Sequence, residues 1–520
     1  MIRTDKDGGM AVCSREEMFC ALAEGISPKH YRQAILDESL EQGLMTTYSN
    51  LCKRVYDFVE DEADANDLRK QLVSDLYHTK WNFACSVLAT CKTHKQPGKV
   101  GLRIIHSGAR HPWRPIMRWV SEQLRVPLGS FNHILRDTAD FLSKLSRMSF
   151  PRGTRIIKLD VRDFFMSGSH ETLAADAGRT LSSSSEALRQ FSVDMIEYVI
   201  GNQYIRIPGV PMSWRVTHGS GMGLSFSGEL ADASLLQRLE TPFMLTSSVR
   251  KECRILAYFR FKDDIIIFQA PRQLGQEAKT VEALLSEMNR RAHPFVVEVD
   301  EIATYKASFL DVSVFFGGHW RRTGRMDTEP YRKPSSIWTP LSSGSLHHPT
   351  LHNEWPKSMI RRYHAHSTSA RAAQAFVSRW IHDFQQQQPL HSFFNVPESE
   401  RDRSSLRLQD VSSRLSSAGV SEVWLVVPYC PEWGSAGLPK AIRDAECVTL
   451  SQLRELPFRV RIAWGLGGQH LINRLAESSG MSRFMARITR QAISEMLDRQ
   501  RRELPVAPTS KTLFSAPRVQ

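Results

Sequence analysis

RILAYFRFKDDIIIFQA, residues 254–270, is two apolar runs pinched around Lys262-Asp263-Asp264. Runs rich in Ile, Phe and Tyr around a short polar tip read as a β-hairpin. The tip has two readings. Aspartate is a frequent turn residue, and a hairpin tip leaves a polar pair solvated. Alternatively, the tight turn presents both carboxylates to a divalent metal, which requires a further carboxylate from elsewhere in the chain. RIIKLDVRDFF, residues 155–165, supplies one. In extended backbone Ile157, Leu159 and Val161 face one way and Lys158 and Asp160 the other, so Asp160 leaves an otherwise apolar strand near its end. If that strand lies beside the hairpin, Asp160 and Asp263 converge on a metal pair, with Asp264 in support. Such a pair, roughly 3.5–4 Å apart, clamps the attacking and leaving oxygens of nucleotidyl transfer. Magnesium in such a site is also bound by substrate phosphates, because few protein carboxylates normally hold it.

The chain has 520 residues, 41% apolar and 24% charged, a globular balance long enough for several packed subdomains. Its longest apolar runs, DIIIF and VWLVVPY, have strand length, so no membrane span is expected. The opening MIRTDKDGGMAVCSREE lacks the apolar stretch of a secretory signal, which points to a nuclear or cytoplasmic rather than a secreted protein. Cys13, Cys20, Cys52, Cys85, Cys91, Cys253, Cys430 and Cys447 show no C-x-x-C spacing, so reduced thiols are expected, with neither a zinc site nor a disulfide framework. A net charge of +13 favours a polyanionic partner; nucleic acid and an anionic membrane surface both satisfy it.

Along the chain, residues 12–84 carry a mostly helical pattern, and a basic Pro- and Gly-containing loop leads to a short strand at Leu102-Arg103-Ile104-Ile105. Residues 151–318 alternate strands and helices: TRIIKLDVRDFF, a helix near 182–200, QYIRIP, a helix near 225–240, the hairpin, a helix near 275–291 and the strand SFLDVSVFF. This is an α+β domain around a sheet. A further hairpin is expected over 320–340, basic helices over 354–386, one strong strand in EVWLVVPY, and a basic helix near 482–503 before a frayed tail.

Taken together and in order, KLDVRDFFMSG (158–168), HGSGMGLSFSGELADASLL (218–236), FRFKDD (259–264) and SFLDVSVF (308–315) resemble motifs A, B and C and the following strand of reverse transcriptases. The flanking CKTHKQPGKVGLRIIHSG, LRDTADFLSKL, YRKPSSIWTPLSSGSLHHP and MIRRYHAHST are similar to Penelope-like retroelement reverse transcriptases, relatives of telomerase; the likeness covers about 90–370 and weakly reaches FRVRIAWGLGGQHLINRL. It implies a right-hand polymerase: an N-terminal helical region (1–84), fingers (85–150), palm (151–318), a hairpin with basic thumb-like helices (319–395), a small mixed C-terminal segment (396–480), and a basic helix and tail (481–520). It implies RNA-directed DNA synthesis from an RNA template with a DNA or RNA primer and deoxynucleoside triphosphates, using Mg2+ or Mn2+ and no membrane.

The same resemblance gives the metal to Asp160, Asp263, Asp264 and the Val161 carbonyl. It gives the incoming triphosphate to Lys95 and Arg103, whose alternative is two solvated charges. Gly219, Gly221, Met222 and Gly223 would form the turn that lets backbone approach nucleotide and template, the alternative being an ordinary loop. Lys306 is a candidate proton donor to pyrophosphate, while His347 and His348 are expected to pack or contact backbone. Phe165, five residues beyond Asp160, stands where RNA polymerases of the viral kind carry a second carboxylate, and an aromatic ring there favours deoxynucleotides; Phe164 would then be the core partner. Departures from the family pattern are Phe261-Lys262 before the Asp pair, Val216-Thr217-His218 in place of the usual Gln before the motif B glycine, and Ser227-Gly228 in place of Ser-Pro. They keep open a second class of function, a non-catalytic RNA-binding element product. The segment beyond the likeness is too short for a nuclease of typical domain size, so extension of existing 3′ ends without nicking is expected.

Overall fold

A computed structural model of the chain describes residues 2–3, 10–11, 13–77, 83–92, 101–271, 280–333, 341, 349–387, 421–428 and 458–465. They belong to two units, Met1–Pro340 with Arg362–His382 and Leu341–Arg361 with Asp383–Gln520. The architecture is mixed α/β.

The first unit opens with a small ribbon, β1 (Ile2–Arg3) and β2 (Met10–Ala11), and three helices, α1 (Arg15–Gly25), α2 (Glu38–Leu51) and α3 (Glu62–Leu72). Each helix starts where a polar side chain accepts an orphan backbone N–H: Ser14 in a capping box with Glu17, then Asp37 and Asp61. The expected helical run is interrupted by β3 (Tyr31–Ala34). Four residues carry no periodicity of their own, and β3 is a strand because β8 (Ser213–Val216) supplies its hydrogen bonds. With β4 (Ala84–Lys92), β5 (Gly101–Ser107) and β7 (Tyr204–Arg206) they form a sheet ordered β3-β8-β7-β4-β5. This sheet shares one core with α4 (Arg114–Gly129), α6 (His170–Thr180) and α7 (Glu186–Gly201), in which Trp113, Phe191 and Ile205 are buried.

The second sheet of this unit holds the opening stretch. β6 (Arg155–Arg162), β9 (Ile255–Phe261), β10 (Asp264–Gln269) and β11 (Val296–Ala303) are ordered β11-β6-β10-β9, every neighbour antiparallel. Helices α8 (Ser227–Leu235), α9 (Ser247–Glu252) and α10 (Val281–Ala292) are interleaved, and α8 continues as a π-helical segment, Leu236–Met244. Numbered along the chain, the strands lie in the order 4-1-3-2 across the sheet, the split β-α-β-β-α-β arrangement. One face packs Ile157, Leu159, Val161, Ile265 and Ile267 against Leu235, Leu239, Leu284 and Met288 of the helices. The other packs Ile156, Ile266 and Phe268 against Phe141 of α5 (Thr138–Leu145) and against Phe309 and Val314 of a three-stranded sheet, β12 (Lys306–Phe309), β13 (Val312–Phe315) and β14 (Asp327–Pro330).

Two expectations are corrected here. SFLDVSVFF is a hairpin rather than one strand, bent where Leu310 takes a left-handed φ of 54°. Over 320–333 there is no separate hairpin: α11 (Gly318–Thr323) is followed by β14, which pairs with β13. Asp327 decides this by accepting the backbone N–H groups of Gly317, His319 and Trp320, which ties β14 to the start of α11. β11 itself escaped the sequence reading because it buries only Val297 and Ala303, leaving no alternation to see.

Helices α12 (Pro349–Ala365) and α13 (Ala370–Gln387) have residues in both units. In the first unit Tyr363 packs on Phe376 and Trp380; in the second Trp355 packs on Phe384, and β15 (Ser421–Pro428) runs parallel to β16 (Phe458–Gly465). Among the described residues no helix is long and apolar enough to cross a membrane, and Cys13, Cys20, Cys52, Cys85, Cys91 and Cys253 are free thiols. Cys430 and Cys447 lie outside the described residues.

Candidate active site

The strand bearing Asp160 does lie beside the hairpin. β6 and β10 pair with Asp160 directly opposite Asp264, and the Val161 N–H donates to the Asp263 carbonyl at 2.9 Å. On the other side of β6, Asp160 stands opposite Glu298 of β11. Residues paired in antiparallel strands share a face, so three carboxylates cross three strands in a row. Down this face β6 runs Ile156, Lys158, Asp160, Arg162 and β10 runs Phe268, Ile266, Asp264: apolar under β12–β14 and charged beyond them. Asp160, Asp263 and Asp264 are all partly exposed there.

Cations flank the row. Arg162 donates to Glu298 at 2.9 Å and Lys158 pairs with Asp300 at 2.6 Å. Burial alone would lower the Lys158 ammonium, but the Asp300 bond and the charges of Asp300 and Asp264 outweigh it and hold it above its ordinary value. Lys158 therefore stays positive two residues from Asp160. Among the described residues no three His, Cys, Asp or Glu side chains are grouped closely enough to hold a metal by themselves. An all-oxygen carboxylate set at strand ends is the donor chemistry of Mg2+ or Mn2+, and for Mg2+ one or two protein carboxylates suffice when phosphates and water complete the shell.

After β6, Asp163 adopts a left-handed φ of 51° and turns the chain into a single 3-10 turn, Phe164–Met166. The two phenylalanines were expected to part by strand alternation. They part instead by the roughly 120° step of a 3-10 turn: Phe164 is buried and Phe165 partly exposed, its ring edge-on to Phe164 at 5.3 Å. The Phe165 carbonyl accepts the N–H groups of Ser220 and Gly221 at 2.9 and 3.2 Å, so the glycine turn is hung on the loop leaving Asp160. At Gly219, φ 73°, a Cβ would stand 2.3 Å from Met166 Cα; at Gly221, φ 76°, it would stand 2.2 Å from His106 Nδ1. Both positions require glycine for conformation and for space. The Met222 carbonyl accepts the His106 N–H at 2.7 Å, and Gly223 rests on Ile105, which shares its face of β5 with Arg103.

His106 was not anticipated. It is fully buried, its ring bonded to the Tyr31 hydroxyl at 2.9 Å and the Gln203 amide at 2.7 Å, and burial pushes its pKa down to about 4. A neutral imidazole thus braces the glycine turn from β5, with β3 and the start of β7 behind it.

Equally unforeseen is the charge network beneath the hairpin. Arg260 of β9 is fully buried and donates to Glu240 of the π-helical segment (Nε–Oε1 2.7 Å) and to Asp232 of α8 (Nη1–Oδ1 2.5 Å). The Tyr258 hydroxyl and the His133 ring also reach Glu240, at 2.8 and 3.0 Å. Burial would raise the Glu240 carboxyl; Arg260 and His133 overcome it and hold the group well below the usual carboxylate range. Lys262, at a left-handed φ of 54° that costs a side-chain-bearing residue roughly 1–2 kcal/mol, pairs with Asp232 at 2.5 Å.

Arg103 lies on β5, opposite Thr90 of β4. Lys95, His347 and His348 fall outside the described residues. Lys306, expected at the leaving group, is on β12 and pairs with Glu329 of β14 at 2.5 Å, over the Phe315 ring, so its side chain serves the three-stranded sheet.

No family model matches the chain, and no curated protein matches it. Among solved structures it is similar to Candida albicans telomerase with a fragment of telomeric RNA (10% identity, 54% of this chain and 51% of that one, TM-score 0.35) and to apo telomerase of Candida tropicalis (11%, 64% and 65%, 0.37). It is also similar to an RNA-dependent RNA polymerase, vp4 (11%, 69% and 34%, 0.40). The chain thus spans about half the length of the first of these and a third of the last. At these identities and scores the likenesses carry no weight beside the geometry above.

Proposed function

We propose that the protein is a template-directed nucleotidyltransferase, and more narrowly an RNA-directed DNA polymerase of the Penelope-like kind, with the split β-α-β-β-α-β sheet as its palm. The observation that carries the reading is the register of Asp160 opposite Asp264, with Asp263 bonded to Val161, at the open end of that sheet.

In this reading Asp160, Asp263 and Asp264, with the Val161 carbonyl, would hold Mg2+ or Mn2+. The bound ions would lower the pKa of the primer hydroxyl and neutralise charge on the triphosphate. The remaining work falls to the chain. The primer 3′-hydroxyl gives its proton to solvent as its oxygen attacks the α-phosphorus in line, the bond from the α-phosphorus to the bridging oxygen breaks, and pyrophosphate leaves with that oxygen. The sheet holds the carboxylates rigidly enough that attacking and leaving oxygens meet a prepositioned charge pattern. The turn at 219–223 brings bare backbone to the nucleotide and template, Arg103 with Lys95 takes the triphosphate, and the Phe165 ring lies under the sugar.

Primer extension on an RNA template, with dNTPs and Mg2+ or Mn2+, tests the proposal. Asp263→Asn should abolish extension while thermal unfolding and duplex binding stay near wild type. Extension surviving in that variant would remove the assignment; ribonucleotide incorporation on the same template would move it to RNA synthesis.

A further inference from the structure

Two of the sequence's departures from the reverse-transcriptase pattern meet in space. Lys262 stands next to the aspartate pair, where a small or apolar residue is usual, and Gly228 stands where proline is usual. The Lys262 side chain crosses α8 to Asp232, and it crosses at Gly228: a Cβ there would be 2.9 Å from Lys262 Nζ and 3.3 Å from Cε. A side chain at 228 would crowd the end of Lys262 and push it from this path. Asp232 is almost fully buried and is held from its other oxygen by Arg260, whose Nη1 also donates to the Lys262 carbonyl at 3.2 Å. The turn is therefore gripped by side chain and backbone together. At the start of the same helix the Ser227 hydroxyl donates to the Ser220 carbonyl at 3.1 Å, inside the glycine turn.

We propose that Lys262 is a positioning residue, a latch that passes through the gap at Gly228 and fixes the Asp263-Asp264 turn to α8, so that carboxylates and glycine turn move as one piece. The proposal rests on the polymerase reading. A left-handed Lys262 would otherwise leave the turn free to relax, and a loosened turn misplaces both aspartates at once. Removing the latch should lower kcat and raise the Mg2+ concentration needed, with little change in the KM for dNTP, since Arg103 and the glycine turn are untouched.

A double-mutant cycle of Lys262→Ala and Gly228→Ala tests it by two independent readouts. In thermal unfolding, Gly228→Ala should lower the midpoint of the wild type, because the new methyl crowds the end of Lys262 and weakens its pairing with Asp232. In the Lys262→Ala background it should raise the midpoint, because Gly228, in the first turn of α8, has no left-handed φ and alanine there loses less chain entropy on folding than glycine. In primer extension each single variant should lose about tenfold in kcat and the double variant no more than either, while Lys262→Arg should recover part of the loss. Additive effects in both readouts would overturn the latch and leave the polymerase reading standing. A sign change in unfolding with extension unaffected would show a purely structural contact and overturn the positioning role. Absence of extension in the wild type, under conditions where the unfolding cycle still changes sign, would remove the polymerase reading and the positioning role with it while keeping the contact.

Discussion

At the residue scale the adjacent phenylalanines pose the sharpest question, since one ring is in the core and its neighbour is half out of it. A ring under the incoming sugar discriminates by clash with a 2′-hydroxyl rather than by attraction for its absence. Phe165→Ala should raise the ribonucleotide share of incorporation, read as the ratio of kcat/KM for dNTP and rNTP. Phe164→Ala should instead cost about 3–5 kcal/mol of stability, as for a large buried aromatic, with the ratio unchanged. An unchanged ratio in an active Phe165 variant would reject the gate. His106 yields a prediction in pH. Folded, its pKa is pushed to about 4 by burial; in the unfolded chain it returns to about 6.5. Between those values the unfolded state binds the extra proton, so the stability conferred by the neutral ring is intact above pH 6.5 and is lost as pH falls toward 4. The slope is about 1.4 kcal/mol per pH unit. His111, equally buried with a pKa of about 4, adds the same sign. In urea titrations from pH 7 to 4.5, His106→Asn should flatten part of this slope; an identical slope would show that His106 does not contribute.

At the element scale, β9 is the outer strand of its sheet, and its edge is not left bare. Arg260 N–H donates to the His133 carbonyl at 2.9 Å and Leu135 N–H to the Arg260 carbonyl at 2.8 Å, so the segment before α5 caps the edge. The same residue sends its side chain inward to Glu240, which the π-helical widening of Leu236–Met244 turns toward the strand. A buried ion pair of this kind is most visible when half of it is removed. Glu240→Gln should lower unfolding stability by about 3 kcal/mol, because Arg260 keeps its charge and loses its best partner. Calorimetry that finds no loss would mean that Asp232 alone compensates Arg260. Element boundaries were legible in proportion to their local pattern. The hairpin, β6, α7 and α10 declare themselves by apolar spacing, whereas β3, β8 and β11 are strands only because a distant strand pairs with them.

At the scale of the whole molecule, the excess of +13 charges is a statement about partners. If the proposed polymerase grips a primed duplex by its phosphates, it displaces counterions, and affinity should fall linearly on a log–log plot against salt. With about six phosphates contacted, the loss between 50 and 200 mM is about three orders of magnitude. A flat dependence measured by anisotropy would place the basic surface elsewhere than on nucleic acid. The sequence by itself determined the acid-tipped hairpin, an apolar strand carrying Asp160 and the glycine-rich stretch between them, because each is written in consecutive residues whose spacing and type suffice, whereas the pairing of that strand with the hairpin is a matter of register. Only the tertiary structure decided that Glu298 joins the row, that His106 stands behind Gly221, and that Lys262 reaches Asp232 across Gly228. Those contacts join residues far apart in the chain, and they depend on strand register and on approaches of less than 3 Å, which residue type and spacing along one chain do not encode.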